Sequence, residues 1–311
     1  MISQHKTNTG ESLNRDFSIM NPNLTHHTGL VLEGGGFRAI FVAAALEVLH
    51  KHALFFPYMI GVSAGAAYGA SYASRQQGRN LDTLKFINDK RYCGIKHLIK
   101  TGDYFNWEFI YKLIPTSLLY FDYETLQTST TRFQVVLTNC ETACPEYFDA
   151  NNSYPQHLCD ILSATSSLPF ISKTRIINGN KYLDGGLTDA IPIDHAFSQN
   201  NKRLVVITTR PKGYKKKASK RNVFFNVFYK KYPRLVESMS KRIDNYNMRL
   251  REIEHLESEG KIFVIRPENQ IPIGRLQNDP QVLEKVYIDS MKKIENDISQ
   301  LKEWLKVRIR D

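Results

Sequence analysis

Short runs of consecutive apolar residues alternate along this chain with longer stretches in which apolar positions recur at helical spacing. "TGLVLE" reads as a buried strand that runs into Gly34-Gly35-Gly36, and "FRAIFVAAALEVLHKH", rich in Ala and Leu, as the helix after it. "FPYMIGVSAG" repeats the strand pattern, and "AAYGASYASRQQG" is a second helix that stops at Gly78. Residues 81–126 keep a mostly helical pattern with aromatic inserts. "RFQVVLTNCETACPEYFDA" is two strands about a turn, and "HLCDILSATSSLPF" a helix ended by Pro169. "TRIINGNKYLDGGLTDAIPI" is a hairpin turning at Asn178-Gly179-Asn180, and "RLVVITTRP" a further strand ended by Pro211. A helix from Leu235 to Gly260, the strand "KIFVIRP" and a helix opened by Asp279-Pro280 complete the pattern. Strands that alternate with helices predict an α/β sandwich on a largely parallel sheet, with a helical C-terminal extension. The boundaries expected are a polar N-terminal arm at 1–27, a catalytic domain at 28–215, and a mostly helical region at 216–311 packed on or extending it.

A composition of 42% hydrophobic and 23% charged residues over 311 positions suits a packed core. The longest apolar run, "AIFVAAALEVL", is interrupted by charge before the roughly 18 residues a membrane span needs. The first twenty residues show no apolar core of a secretory signal, so a cytoplasmic location is expected. Cys93, Cys140, Cys144 and Cys159 form no C-x-x-C pair, so free thiols and no metal are expected. The net charge of +11 is uneven: from Arg210 to Leu235 there are ten Lys or Arg, no Asp or Glu, and six aromatic rings. Such a window suits peripheral contact with an anionic membrane at its inner face, or a solvated loop; nucleic acid is the weaker reading.

Three glycines between a strand and a helix serve one of two chemistries. Gly34, Gly36 and Ala39 fit the dinucleotide pattern G-x-G-x-x-A. That site also needs an acidic residue closing the next strand, about 20 residues on. Here the next strand ends in Gly61-Val62-Ser63-Ala64-Gly65, and no P-loop is present either. G-x-S-x-G at a strand-to-helix junction is instead the turn that lifts a nucleophilic serine above a sheet. Strands joined by one helix usually pair, which brings the triple glycine beside Ser63. The Gly35 and Gly36 amides are then placed to meet a developing oxyanion, a contribution of about 3 kcal/mol per donor. Arg38 steadies that loop or the oxyanion, or else makes an internal salt bridge. For the base, none of the nine histidines sits in a motif, whereas Asp184-Gly185-Gly186 ends the hairpin strand. A carboxylate raised in pKa by burial can take the serine proton directly.

The ordered set Gly34-Gly35-Gly36-Phe37-Arg38, Gly61 to Gly65 and Asp184-Gly185-Gly186 resembles the patatin-like phospholipase family, which joins a G-G-G-x-R loop, a G-x-S-x-G elbow and a D-G-[GA] motif in this order. The 121 residues between Ser63 and Asp184 suit that family too. "SATSSLPF", "DAIPI" and "TTRPKGYKKK" add to the likeness, which covers about 28–215. Ala39 stands where the family often has glycine. The resemblance implies a patatin-like three-layer α/β/α sandwich and a cofactor-free Ser63–Asp184 dyad that cleaves phospholipid or other acyl esters. Gly34, Gly35, Gly36 and Arg38 would form the oxyanion hole, Gly61 and Gly65 the elbow, and Gly185 and Gly186 the base motif. The aromatics of 102–123 would suit the wall of an acyl pocket, or plain core. Two other readings stay open: a Ser-His-Asp hydrolase using His195 or His255, and a non-catalytic membrane-binding protein on a degenerate hydrolase fold.

Overall fold

The computed structural model describes residues 24–152, 154–217, 225 and 227–307. Its centre is an eight-stranded sheet: β1 Thr28–Leu32, β2 Tyr58–Val62, β3 Arg132–Asn139, β4 Pro145–Asp149, β5 Arg175–Ile177, β6 Asn180–Asp184, β7 Arg203–Ile207 and β8 Ile262–Ile265. The order is β5-β6-β3-β2-β1-β7-β8, with β4 on β3 outside that path. β3, β2, β1, β7 and β8 run parallel, and β4, β5 and β6 join antiparallel. The parallel strands lie between helices on both faces, which is why they read as continuous apolar runs rather than as alternation.

The helices are α1 Ile40–Lys51, α2 Ala64–Ala73, α3 Arg79–Asp82, α4 Ile95–Thr101, α5 Tyr123–Gln127, α6 Pro155–Thr165, α7 Ile193–Ser198, α8 Pro233–Ser258 and α9 Pro280–Lys306. Side chains alternate along β1. Leu30 and Leu32 pack with α1, α2, α6 and α9 on one face, and Val31 packs with α7 and α8 on the other. The molecule is therefore a three-layer α/β/α sandwich. Asp279 caps α9 by accepting from the Gln281 and Val282 amides at 3.0 and 3.3 Å, as the Asp-Pro pair predicts. The hairpin turns where expected, with Asn178 at φ 50° and Gly179 at φ 83°.

Other expectations meet the structure unevenly. Residues 1–23 of the expected arm lie outside the described residues. Thr25 is already packed, donating to the Phe55 carbonyl at 2.6 Å. The segment after 215 shares the main sheet through β8 and lays α9 against α1. Of the basic window, 218–224 and 226 lie outside the described residues. Phe109–Leu118, inside the stretch read as helical, winds as a wide π-type helix with Pro115 in it. Among the described residues no helix is long and apolar enough to cross a membrane.

One register places the site. On β3, Val136 is opposite Val62 of β2, and the next residue, Leu137, is opposite Asp184 of β6. β4 occupies the other edge of β3 over residues 134–138. β6 therefore takes up the edge of β3 at the point where β2 leaves it. The carboxyl ends of β2 and β6 meet head to head, with Ser63 following one and Asp184 closing the other.

Candidate active site

Ser63 leaves β2 at φ 53°, a conformation that costs a non-glycine residue about 1–3 kcal/mol. It is held there from three sides. Its amide donates to Thr165 Oγ1 at 2.9 Å, Thr165 donates to the Val136 carbonyl at 2.6 Å, and the Ser63 carbonyl accepts from the Ala66 and Ala67 amides of α2. The glycines around it are a matter of clearance. A Cβ on Gly65 would lie 2.6 Å from the Glu33 carbonyl oxygen, and one on Gly34 would lie 2.7 Å from that of Val62. The triple-glycine turn and the serine turn are thus in backbone contact. Gly61 backs onto Ala66 in the same way, and Gly185 onto Val136.

Ser63 Oγ donates to Asp184 Oδ2 at 2.8 Å, and Asp184 Oδ1 accepts from the Gly186 amide, also at 2.8 Å. Both side chains are buried. Burial pushes the Asp184 carboxyl above its ordinary value, against the opposing pull of Arg242 and of the hydrogen bonds from Ser63 and Gly186. The Gly35 and Gly36 amides donate to no acceptor among the described residues. Arg38 is buried; its Nε reaches Thr209 Oγ1 at 3.4 Å, and burial, with Arg210 nearby, lowers its pKa to about 10. It has no carboxylate in salt-bridge reach among the described residues. The histidines are elsewhere. His195 bonds Gln134 at 2.9 Å and stacks on Tyr147, and His255, in the last turn of α8, pairs with Glu259 just past its end.

Ser63 stands between two cavities of opposite character. On one side an apolar cavity of about 150 Å³ runs between α2, α6 and the π-type helix, walled by Phe105, Trp107, Tyr111, Phe121 and Tyr123. An apolar cavity of that size admits a benzene-sized solute. The aromatics of 102–123 are therefore core and cavity wall at once. On the other side Ser63 and Asp184 face a polar cleft lined by Glu33, Arg38, Arg210, Lys216, Arg242, Tyr246 and Arg275. Apart from Arg38, no sequence signal singled out these charges for the site. Arg210 and Lys216 belong to the basic window but line this cleft. Arg242 and Arg275 come from α8 and from the loop before α9. They are scattered through basic stretches without a motif, and only the fold gathers them.

A family model described as patatin-like phospholipase matches residues 30–197, just over half of the chain. The chain belongs to the patatin-like phospholipase family. A second model, for a domain of unknown function (DUF6363), matches residues 232–306. Among curated proteins, the chain is 29% identical over 188 residues to the uncharacterized protein YjjU of Escherichia coli strain K12, covering 58% of this chain and 52% of that one. It thus spans about half the length of that relative. It is 25% identical over 224 residues to the "probable lipid hydrolase 463L" of Invertebrate iridescent virus 6, covering 65% of this chain and 77% of that one. The solved structure of VipD from Legionella pneumophila aligns over 89% of this chain and 67% of its own at 15% identity and a TM-score of 0.44. The patatin match ends before Arg210, so most of the cleft's cations lie beyond it.

Proposed function

We propose that the chain is a lipid acyl hydrolase that works through a Ser63–Asp184 dyad. The observation that carries the reading is the 2.8 Å hydrogen bond from Ser63 Oγ to a buried carboxylate at the mouth of an apolar cavity. Asp184 takes the Ser63 proton as Oγ attacks the ester carbonyl. The oxyanion that forms is met by the free Gly35 and Gly36 amides, each worth about 3 kcal/mol to the transition state. The tetrahedral adduct collapses, and Asp184 returns the proton to the departing alcohol. The acyl group is left on Ser63, with the first carbons of its chain in the aromatic-walled cavity. Water then attacks the acyl-enzyme, gives its proton to Asp184, and the carboxylic acid leaves as Ser63 recovers the proton. A carboxyl raised by burial is a better proton acceptor than one in water, which suits Asp184 to this role. The known relative named as a probable lipid hydrolase agrees with a lipid substrate.

The test is labelling by a fluorophosphonate, which traps an activated serine, followed by turnover of a panel of lipid esters. Wild type should label and turn over. Folded Ser63→Ala should do neither, and full labelling of that variant would overturn the reading.

A further inference from the structure

The polar cleft beside Ser63 has a charge balance that the hydrolytic steps do not require. Arg38, Arg210, Lys216, Arg242 and Arg275 converge on it, against the two carboxylates Glu33 and Asp184. Neither carboxylate is in salt-bridge contact with them; Glu33 offsets Arg38 and Lys216, and Asp184 offsets Arg242, only in part. Glu33 is occupied by neutral donors, the Thr209 amide and hydroxyl and the Tyr246 hydroxyl at 2.6 Å. Asp184 is occupied by Ser63 and Gly186. No ion pair within salt-bridge distance joins any of the five cations to a carboxylate among the described residues.

Three of these cations sit on anchored segments. Arg242 Nε donates to the Gly186 carbonyl at 2.8 Å. The backbone of Lys216 is clamped to α8 by two hydrogen bonds with Asn247, at 2.8 and 3.0 Å. The Arg275 carbonyl accepts from the Phe37 amide at 3.2 Å, which pins its loop against the triple glycine. Like charges so placed repel one another. Burial, followed by Arg242 and Arg275, pushes the Lys216 ammonium down to about 7. An anion in the cleft would relieve that repulsion, and guanidinium forks suit the oxygens of a phosphate.

We propose that this cleft binds the phosphate of an anionic phospholipid, on the alcohol side of the ester presented to Ser63. It rests on the hydrolase reading only for which bond is cut. The direction follows from the layout. The acyl chain has the apolar cavity on one side of Ser63, so the glycerol and its phosphate fall on the other. The cleft also disfavours a choline head. A quaternary ammonium seeks open aromatic faces or carboxylates. Here the Tyr214 and Tyr246 rings are already covered by Arg210 at 4.3 Å and Lys216 at 4.7 Å. The class selected is therefore phosphatidate, lysophosphatidate or a phosphatidylglycerol-like lipid.

Binding to the full chain carrying Ser63→Ala tests this without turnover, read through the fluorescence of Trp107 in the cavity wall. Oleoyl lysophosphatidate should bind at least about ten-fold tighter than monooleoylglycerol or oleoyl lysophosphatidylcholine, and glycerol 3-phosphate should compete with it. Adding Lys216→Gln or Arg210→Gln should shrink that preference several-fold. Those two side chains make no hydrogen bond to the fold among the described residues, so they remain informative where Arg242→Gln fails to fold. Equal affinity for the three lipids would overturn the proposal. So would binding of inorganic phosphate with no preference among the lipids, which would make the cleft a site for free phosphate. Loss of fluorophosphonate labelling in wild type, with the lipid preference intact, would remove the hydrolase reading and leave the phosphate site standing.

Discussion

Replacing Asp184 by Asn should separate activity from stability. The amide has the shape of the carboxylate. Its oxygen can keep the 2.8 Å bond from the Gly186 amide, and its NH2 would occupy the place of Oδ2, 2.8 Å from Ser63 Oγ. From there it can donate to the serine but cannot take its proton. Removing a positioned base costs about 10²–10⁴ in rate, which is about 2.7–5.4 kcal/mol at 1.36 kcal/mol per decade. The Gly35 and Gly36 amides and the acyl cavity remain, so a residual rate should persist. Stability should move the other way. Burial raises the Asp184 pKa, so between its ordinary value of 3.8 and its raised one the folded state holds more proton than the unfolded state. Stability therefore falls as pH rises through that interval, and the penalty remains in full above it. Asn carries no charge and escapes it.

Ester turnover and thermal denaturation, each at pH 7.5 and near pH 4, check both halves. At pH 7.5 the Asn variant should be slower by at least a hundred-fold and melt no lower than wild type. Its stability relative to wild type should decline toward acid, as wild-type Asp184 takes up its proton. Retention of more than about a tenth of wild-type turnover would refute Asp184 as base, since even a weak general base supplies about a hundred-fold. A variant that loses stability along with activity would show that the carboxylate is structural.

Ser63→Gly should be more stable than Ser63→Ala by about 1–3 kcal/mol, because φ 53° strains alanine and not glycine; equal melting would mean a relaxed elbow. Glycerol 3-phosphate affinity should fall as pH rises above about 7, since Lys216 is depressed to about 7 when the cleft is empty and must regain its proton to pair with the anion. The groups facing it are Arg38, Arg210, Arg242, Arg275, Glu33, Asp184, Tyr214 and Tyr246, and Lys216→Gln should flatten the profile. Ala67→Phe, which projects into the apolar cavity from α2, should shift turnover toward short acyl chains; an unchanged chain-length profile would place the acyl group elsewhere. Changing Lys215, Lys217, Lys220 and Arg221 to Gln should weaken co-sedimentation with anionic vesicles, at roughly 1 kcal/mol per charge near the surface, and unchanged binding would leave the basic window without a membrane role.

Much of the fold is legible in the sequence because it is written locally. β1, β2, β7 and β8 are apolar runs, the hairpin of β5 and β6 carries its turn residues, and α9 carries its Asp-Pro cap. The Ser63 elbow is legible for the same reason, since two flanking glycines mark a turn that tolerates no Cβ. The pairing of Ser63 with Asp184 is not local. It depends on β6 joining β3 at the residue after the one opposite Val62, a register that no single stretch encodes. The cations were hidden for a different reason. Lys216, Arg242 and Arg275 look like any solvated basic residues, and nothing in a one-dimensional pattern distinguishes a lysine that faces water from one folded over Tyr246. Glu33, read only as the end of a strand, is a buried carboxylate tied to Thr209 and Tyr246.

The aromatic wall of the apolar cavity and most of the cleft's cations come from different parts of the chain, although Arg275 borders both cavities. Every aromatic of the apolar cavity lies before Asp184, within the patatin match. Of the five cations in the cleft, only Arg38 does; Arg210, Lys216, Arg242 and Arg275 follow that match. On the proposed reading, a substitution at Arg210 or Lys216 should therefore change which alcohol is welcomed while leaving the hydrogen bonds of Ser63 and Asp184 untouched. Arg242 is the exception. Its Nε holds the carbonyl of Gly186, whose amide in turn holds Asp184, and its charge opposes the burial that raises the Asp184 carboxyl. Filling the cleft with a phosphate would offset that charge and leave burial less opposed, raising the Asp184 pKa further. On this reading the arrival of an anionic head group makes Asp184 a stronger base just when the ester is in place, so that Arg242 couples recognition on the alcohol side to proton transfer at Ser63.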